Sequence, residues 1–195
     1  ALDASPELVA IGGQLVLIDV QDRVLTEMRM PTDHAESDAA HLAGPGAAIC
    51  HPTATIRLDA MRAVGGYDES LEAAQDIDLW LRLAETGRLA NLDVPVLHYR
   101  QHLESVGYAR ARLQRLSGWD AIRRAQERRG LPGRSAPATA EDSEATIADV
   151  YCKWGWWALQ GGNVRTARDY AWKGIREDPL SWQRLQLLLC AWRGW

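Results

Sequence analysis

The spacing of apolar positions changes several times along the chain, and each change marks an element. Residues 8–19, "LVAIGGQLVLID", are apolar and often β-branched, "VQDR" supplies turn chemistry, and "VLTEMRM" follows, so two tightly joined strands are predicted. "DHAESDAAHLA" predicts a short helix with Asp33 as its cap, and "GAAICHPTATI" reads as a buried strand. "RLDAMRAVGG" fits a helix of about two turns stopped by Gly65. "RLANLDVPVLHYR" predicts two short strands broken at Pro95, which cannot donate to a central ladder. From residue 104 to 129, Val106, Ala109, Leu113, Leu116, Trp119, Ile122 and Ala125 recur every three or four positions and predict one long amphipathic helix.

The other face of that helix is basic, with eight Arg between Arg110 and Arg134 against Asp120 and Glu127. Such a face is compatible with phosphate or an anionic membrane surface, but a solvated face is the plainer reading, and no membrane contact is predicted from it. "GLPGRSAPATAEDS" has no periodicity and reads as a linker, placed at 131–142 between a region at 1–130 and a tail at 143–195. The tail reads as three helices, "TIADVYCKWGWWALQGG", "NVRTARDYAWKGIREDP" and "LSWQRLQLLLCAWRGW", broken at Gly-Gly-Asn and Asp-Pro. Its middle, with Ala167 and Ala171 where helices would pack closely and Pro179 as a stop, resembles a tetratricopeptide unit. A generic helical hairpin accounts for it as well. One such unit cannot bury its own apolar face, so the tail is expected to lean on the first region or on a protein partner.

Composition narrows the classes. With 195 residues, 47% hydrophobic and 25% charged, the chain suits one substantial core or two small ones, and a net charge of -4 gives no pull toward nucleic acid. Nine Trp and no Phe are present, and the Trp crowd toward the C-terminus, a sign of two differently built regions. Cys50, Cys152 and Cys190 are few, odd in number and far apart, which fits a reducing compartment. No stretch has the run of apolar residues that a membrane span needs, and the start has no signal-peptide pattern and reads as a chain entered partway through a domain. The expected location is cytoplasmic.

Candidate chemistry centres on residues 63–87, "AVGGYDESLEAAQDIDLWLRLAETG". On a helix starting near Asp76, Ile77, Trp80, Leu81 and Ala84 share the core face, while Asp78 and Arg82 pair at i,i+4 for a few tenths of a kcal/mol. Asp76 falls in the first turn, where free N–H groups and the helix dipole favour a carboxylate able to accept a hydrogen bond from a hydroxyl. The Gly65-Gly66 turn lets backbone approach a ligand. A simple helix cap after a loop explains the same residues.

Residues 51–106, "HPTATIRLDAMRAVGGYDESLEAAQDIDLWLRLAETGRLANLDVPVLHYRQHLESV", resemble the acceptor-side half of family-two glycosyltransferases with the GT-A fold. That family has a glycine-rich loop, an acidic pair within a "DxDLWLRL" helix and a strand ending in "YRxHxxS", and all three occur here in order. Weaker similarity reaches back to Leu2. The resemblance implies an α/β fold: a partial GT-A (nucleotide-diphospho-sugar transferase) domain followed by an all-α helical hairpin region. It implies Asp76 as catalytic base, Gly65, Gly66, Tyr67 and Asp68 bordering the acceptor and donor sugar, and His102 as a ligand of the divalent metal. Gln75 stands where many members have Glu. The implied reaction is inverting transfer from a nucleotide-sugar donor to a glycan or lipid-linked acceptor, with Mg or Mn held by DxD carboxylates in the complete enzyme. No DxD follows a strand in the expected place. The expectation is therefore a truncated chain without the donor half, inactive alone, with the metal belonging to the complete enzyme.

Two other classes compete. One is a non-catalytic interaction module acting through the Trp-rich tail. The other is a small metalloenzyme using His51, His98 and His102 with Asp76, although the spacing matches no helix-borne zinc signature.

Overall fold

The computed structural model describes residues 2–46, 48–133 and 145–194. Most of the predicted linker at 131–142 lies outside the described residues. The chain is mixed α/β, with β1 (Leu8–Ile18), β2 (Val24–Met28), α1 (His34–Ala43), β3 (Thr55–Ile56), α2 (Leu58–Ala63), α3 (Gln75–Ala84), β4 (Arg88–Arg100), α4 (Val106–Ala109), α5 (Ala111–Arg128), α6 (Ile147–Gln160), α7 (Val164–Glu177) and α8 (Trp182–Arg193). None of these helices is long and apolar enough to cross a membrane.

β1 is the central strand, buried along nearly its whole length and antiparallel to both β2 and β3. β4 pairs with β1, and its backbone bonds advance in the same direction, from Arg88 N–H to the Glu7 carbonyl and from Gln101 N–H to the Ile18 carbonyl, so this pairing is parallel and the sheet mixed. β4 is one strand, where two broken at Pro95 were expected. Its described pairing is with β1 alone, so it lies at an edge, where a residue without an N–H costs no ladder bond.

Residues 46–56 also depart from expectation. In place of a buried strand, Ala48, Ile49 and Cys50 are buried in a turn, His51–Thr53 form a 3-10 helix, and only Thr55 and Ile56 pair as strand. Pro52 opens the 3-10 turn, and the Thr53 hydroxyl and N–H both donate to the Cys50 carbonyl and lock it. The helix expected from 104 is divided at Arg110, whose backbone is non-helical, into α4 and α5.

The chain forms two compact units. The first comprises Ala1–Gln14, Arg29–Leu97 and Arg110–Ser143. Its core wraps α3, with Leu79, Trp80 and Leu83 packing with Val9, Ala10, Ile49 and Leu89, and Ile77 and Leu81 packing with Ala121, Ile122 and Ala125 of α5. Packing on two sides explains why six of the ten residues of α3 are buried, Asp78 included. Asp33 caps α1 as expected, accepting from the Glu36 N–H at 3.1 Å.

The second unit comprises Leu15–Met28, His98–Ala109 and Glu144–Trp195. The three expected tail helices are present. α6 starts on a capping box in which Thr146 and Asp149 exchange bonds, and α6 and α7 bury Trp154, Ala158, Ala167, Tyr170 and Ala171. The Asp19 carboxylate, fully buried, accepts from the N–H groups of Gln21 and Arg23, from the Arg23 guanidinium at 2.8 Å and from the Tyr170 hydroxyl at 3.0 Å. It thereby closes the β1–β2 turn and ties it to α7.

Candidate functional site

In the first unit, an open cavity of about 630 Å³ has Tyr67, Asp68, Asp76, His51 and Gln114 among its lining residues. Three local structures bring them together. α2 ends in a Schellman motif: Gly65 and Gly66 take left-handed backbone (φ 82° and 72°), and their N–H groups donate to the carbonyls of Arg62 and Met61. The turn delivers Tyr67 and Asp68 to the cavity. Asp68 then folds its own loop, accepting from the Ser70 N–H at 2.9 Å and the Ser70 hydroxyl at 2.6 Å through one oxygen, while the other meets the Arg124 guanidinium at 3.1 Å. The Ser70 bonds, chiefly, hold the Asp68 carboxyl below its usual range.

Ala74 precedes α3 in left-handed backbone (φ 57°), a conformation that costs a non-glycine residue about 1 kcal/mol. It points the chain so that Asp76, in the first turn, lines the cavity. The Asp76 carboxylate accepts from the Ile77 N–H at 3.0 Å. Arg82 is engaged with Asp78 at 2.6 Å, and Arg124 with Asp68 and Asp120. Two neighbours feel the Asp76 charge. Burial first and that charge second raise the Tyr67 phenol above its ordinary value, and the same causes push the Cys50 thiol up to about 11.

The sequence offers His51 only as a metal ligand, and the structure gives it a different neighbourhood. Its Nε2 lies 2.7 Å from the Tyr67 hydroxyl, and its ring stands edge-on to Tyr67 and Trp80, at centroid distances of 5.8 and 6.1 Å. The Pro52 after His51 signals the 3-10 turn that places this ring. No sequence signal pointed to Gln114, which comes from α5.

Of the residues singled out in the sequence, Tyr67, Asp68 and Asp76 share the cavity. Gly65 and Gly66 are not among its lining residues, and open space surrounds the position of a Cβ at either. His102 belongs to the second unit, where it lines a separate cavity of about 310 Å³ with Glu104, Tyr151, Trp154, Tyr170 and Lys173. His98 is in the second unit also, exposed on β4. Among the described residues, no three His, Cys, Asp or Glu side chains gather as a metal site.

Among the described residues, the cavity offers a carboxylate outside any ion pair, a phenol hydrogen-bonded to an imidazole, and an amide: groups suited to holding a hydroxylated ligand and accepting its proton. No protein-family model matches the chain, and a search of curated proteins found no match.

Proposed function

We propose that the first unit is the acceptor side of an inverting glycosyltransferase of the GT-A type, with Asp76 as its base. Asp76 takes the proton of an acceptor hydroxyl, and that oxygen attacks the anomeric carbon of a nucleotide-activated sugar. The bond to the diphosphate breaks, its electron pair leaves with the nucleotide, and configuration inverts. Tyr67 and Asp68 position the acceptor, and His51 orients the Tyr67 hydroxyl. The observation that carries this reading is the Asp76 carboxylate in the opening turn of α3, unpaired with any cation in the described structure and lining a cavity with Tyr67 and Asp68. β4 adds support, since Leu92, Val94 and Val96 stand exposed along a sheet edge where donor-side strands would pair. The family's Mg or Mn lacks a ligand set among the described residues, His102 included. What this chain contributes is acceptor placement and proton removal.

Saturation-transfer NMR against a panel of mono- and disaccharides and soluble lipid-linked sugars tests the assignment. One class is expected to bind, with Asp76→Ala and Tyr67→Phe each weakening it by about tenfold through loss of a hydrogen bond. Absence of binding by every member, or binding indifferent to both substitutions, overturns the reading. Incubation of this chain alone with radiolabelled nucleotide sugars is expected to give no acceptor-dependent transfer.

A second reading, an interaction module acting through the tail, draws on Trp182 and Trp192, which stand well exposed on α8.

A further inference from the structure

Helix α8 divides its surface in two. Leu187 and Ala191 are fully buried against the tail helices, and Arg184 is buried beside them, paired with Asp149 at 2.8 Å and with Asp178. On the other face Trp182, Leu185, Leu189 and Trp192 are 71%, 37%, 54% and 61% exposed. At 3.6 residues per turn these four fall within about 80° of arc. Their i, i+3, i+7, i+10 spacing is that of a coiled-coil seam. The four side chains leave on the order of 500 Å² of surface in water, most of it apolar, a patch of the size that marks an interaction site.

The stripe is held in place from behind. Arg168 of α7 donates to the carbonyls of Ala191 and Trp192 and lies 5.1 Å from the Trp192 ring centroid. Little ordering cost remains for a partner to meet at that end of the helix.

We propose that this face of α8 pairs with the same face of a second copy of the chain, the two helices antiparallel. A two-fold axis at the level of Leu187 sets Trp182 against the partner's Trp192 and Leu185 against the partner's Leu189, so the surface complements itself. Burying the stripe on both copies removes on the order of 1,000 Å² from water, the threshold for a specific interface. Charge agrees with the direction. The exposed flanking residues Gln183 and Gln186 are neutral, and Arg193, the exposed cation of α8 itself, would meet its like in a parallel pair. In the antiparallel pair each Arg193 instead reaches the partner's Trp182, where a guanidinium stacks favourably on indole.

Sedimentation equilibrium of the full chain across the micromolar range tests this. A dimer is expected, weakened about tenfold or more by either Leu185→Glu or Leu189→Lys, with far-UV circular dichroism unchanged because both positions face solvent. Mixing the two variants is expected to restore dimers, since the antiparallel register brings the introduced charges together as one opposite pair. A wild-type chain that stays monomeric throughout, a dimer indifferent to both substitutions, or a mixture that recovers nothing would each overturn the proposal.

Discussion

Asp78 shows how one side chain can change meaning when its helix is enclosed. Its carboxylate, buried in α3, receives two bonds from Arg82, at 2.8 and 2.6 Å, and Arg82 also donates to the Val64 carbonyl at 2.5 Å. The pair therefore ties α3 to the residue just before the Gly65-Gly66 turn, and so supports the segment carrying Tyr67 and Asp68. Expected as a surface pair worth a few tenths of a kcal/mol, it is instead shielded from solvent, where loss of one partner strands the other. Asp78→Ala is expected to destabilise the chain by about 3 kcal/mol in urea titrations, and to loosen sugar binding at the cavity although Asp78 is not among the cavity's lining residues. Replacing Asp76, which among the described residues is engaged at its own helix turn, is expected to cost stability little while weakening sugar binding about tenfold.

At the scale of elements, glycines inside the tail helices separate packing from propensity. Gly155 of α6 lies where a Cβ would come within 2.5 Å of Leu187 Cδ2 and 3.5 Å of the Ala167 carbonyl oxygen, and Leu187 is fully buried. Gly174 of α7 has its nearest neighbours at 3.6 Å or more, ordinary contact distance. Helix propensity alone favours Ala over Gly by about 1 kcal/mol at both. Gly174→Ala is therefore expected to raise the thermal midpoint, and Gly155→Ala to lower it by forcing Leu187 off its packing position, which paired calorimetric scans would resolve. The element pattern itself was legible where its cause is local. β1, β2, α1, α2, α3 and the three tail helices follow from residue period, the Asp33 cap, the Gly65 stop and the Gly-Gly-Asn and Asp-Pro breaks. Residues 46–56 depart from their apolar pattern because Pro52 favours the 3-10 turn, and β4 because edge position is a property of the sheet.

For the molecule as a whole, titration links the cores to solvent. His41 of α1 is fully buried, with neither ring nitrogen hydrogen-bonded among the described residues, and its pKa is lowered to about 4 by burial, with Arg129 adding to the shift and Asp38 opposing it. The unfolded chain takes up this proton at its ordinary value of 6.5 and the native chain does not. Stability is therefore expected to fall as pH drops from 6.5 to 4, by about 3 kcal/mol, with no further loss from this group below that window. Asp19, Glu85 and Asp149 act lower still. Burial or desolvation works against each, yet hydrogen bonds from Arg23, from Arg128 and Arg129, and from Thr146 respectively leave them depressed, so their contribution is lost only as pH falls through the lowered values. Urea midpoints across this range should show the upper step vanish in His41→Leu, with the lower loss retained. Periodicity, caps and turn residues determined on their own β1, β2, α1, α2, α3 and the three tail helices, because those signals act over a few positions. Tertiary structure alone decided that His51 meets Tyr67, that Gln114 joins Asp76, that Asp78 is enclosed and that one face of α8 is left bare. Burial and pairing depend on what distant parts of the chain cover, and no local pattern carries that information.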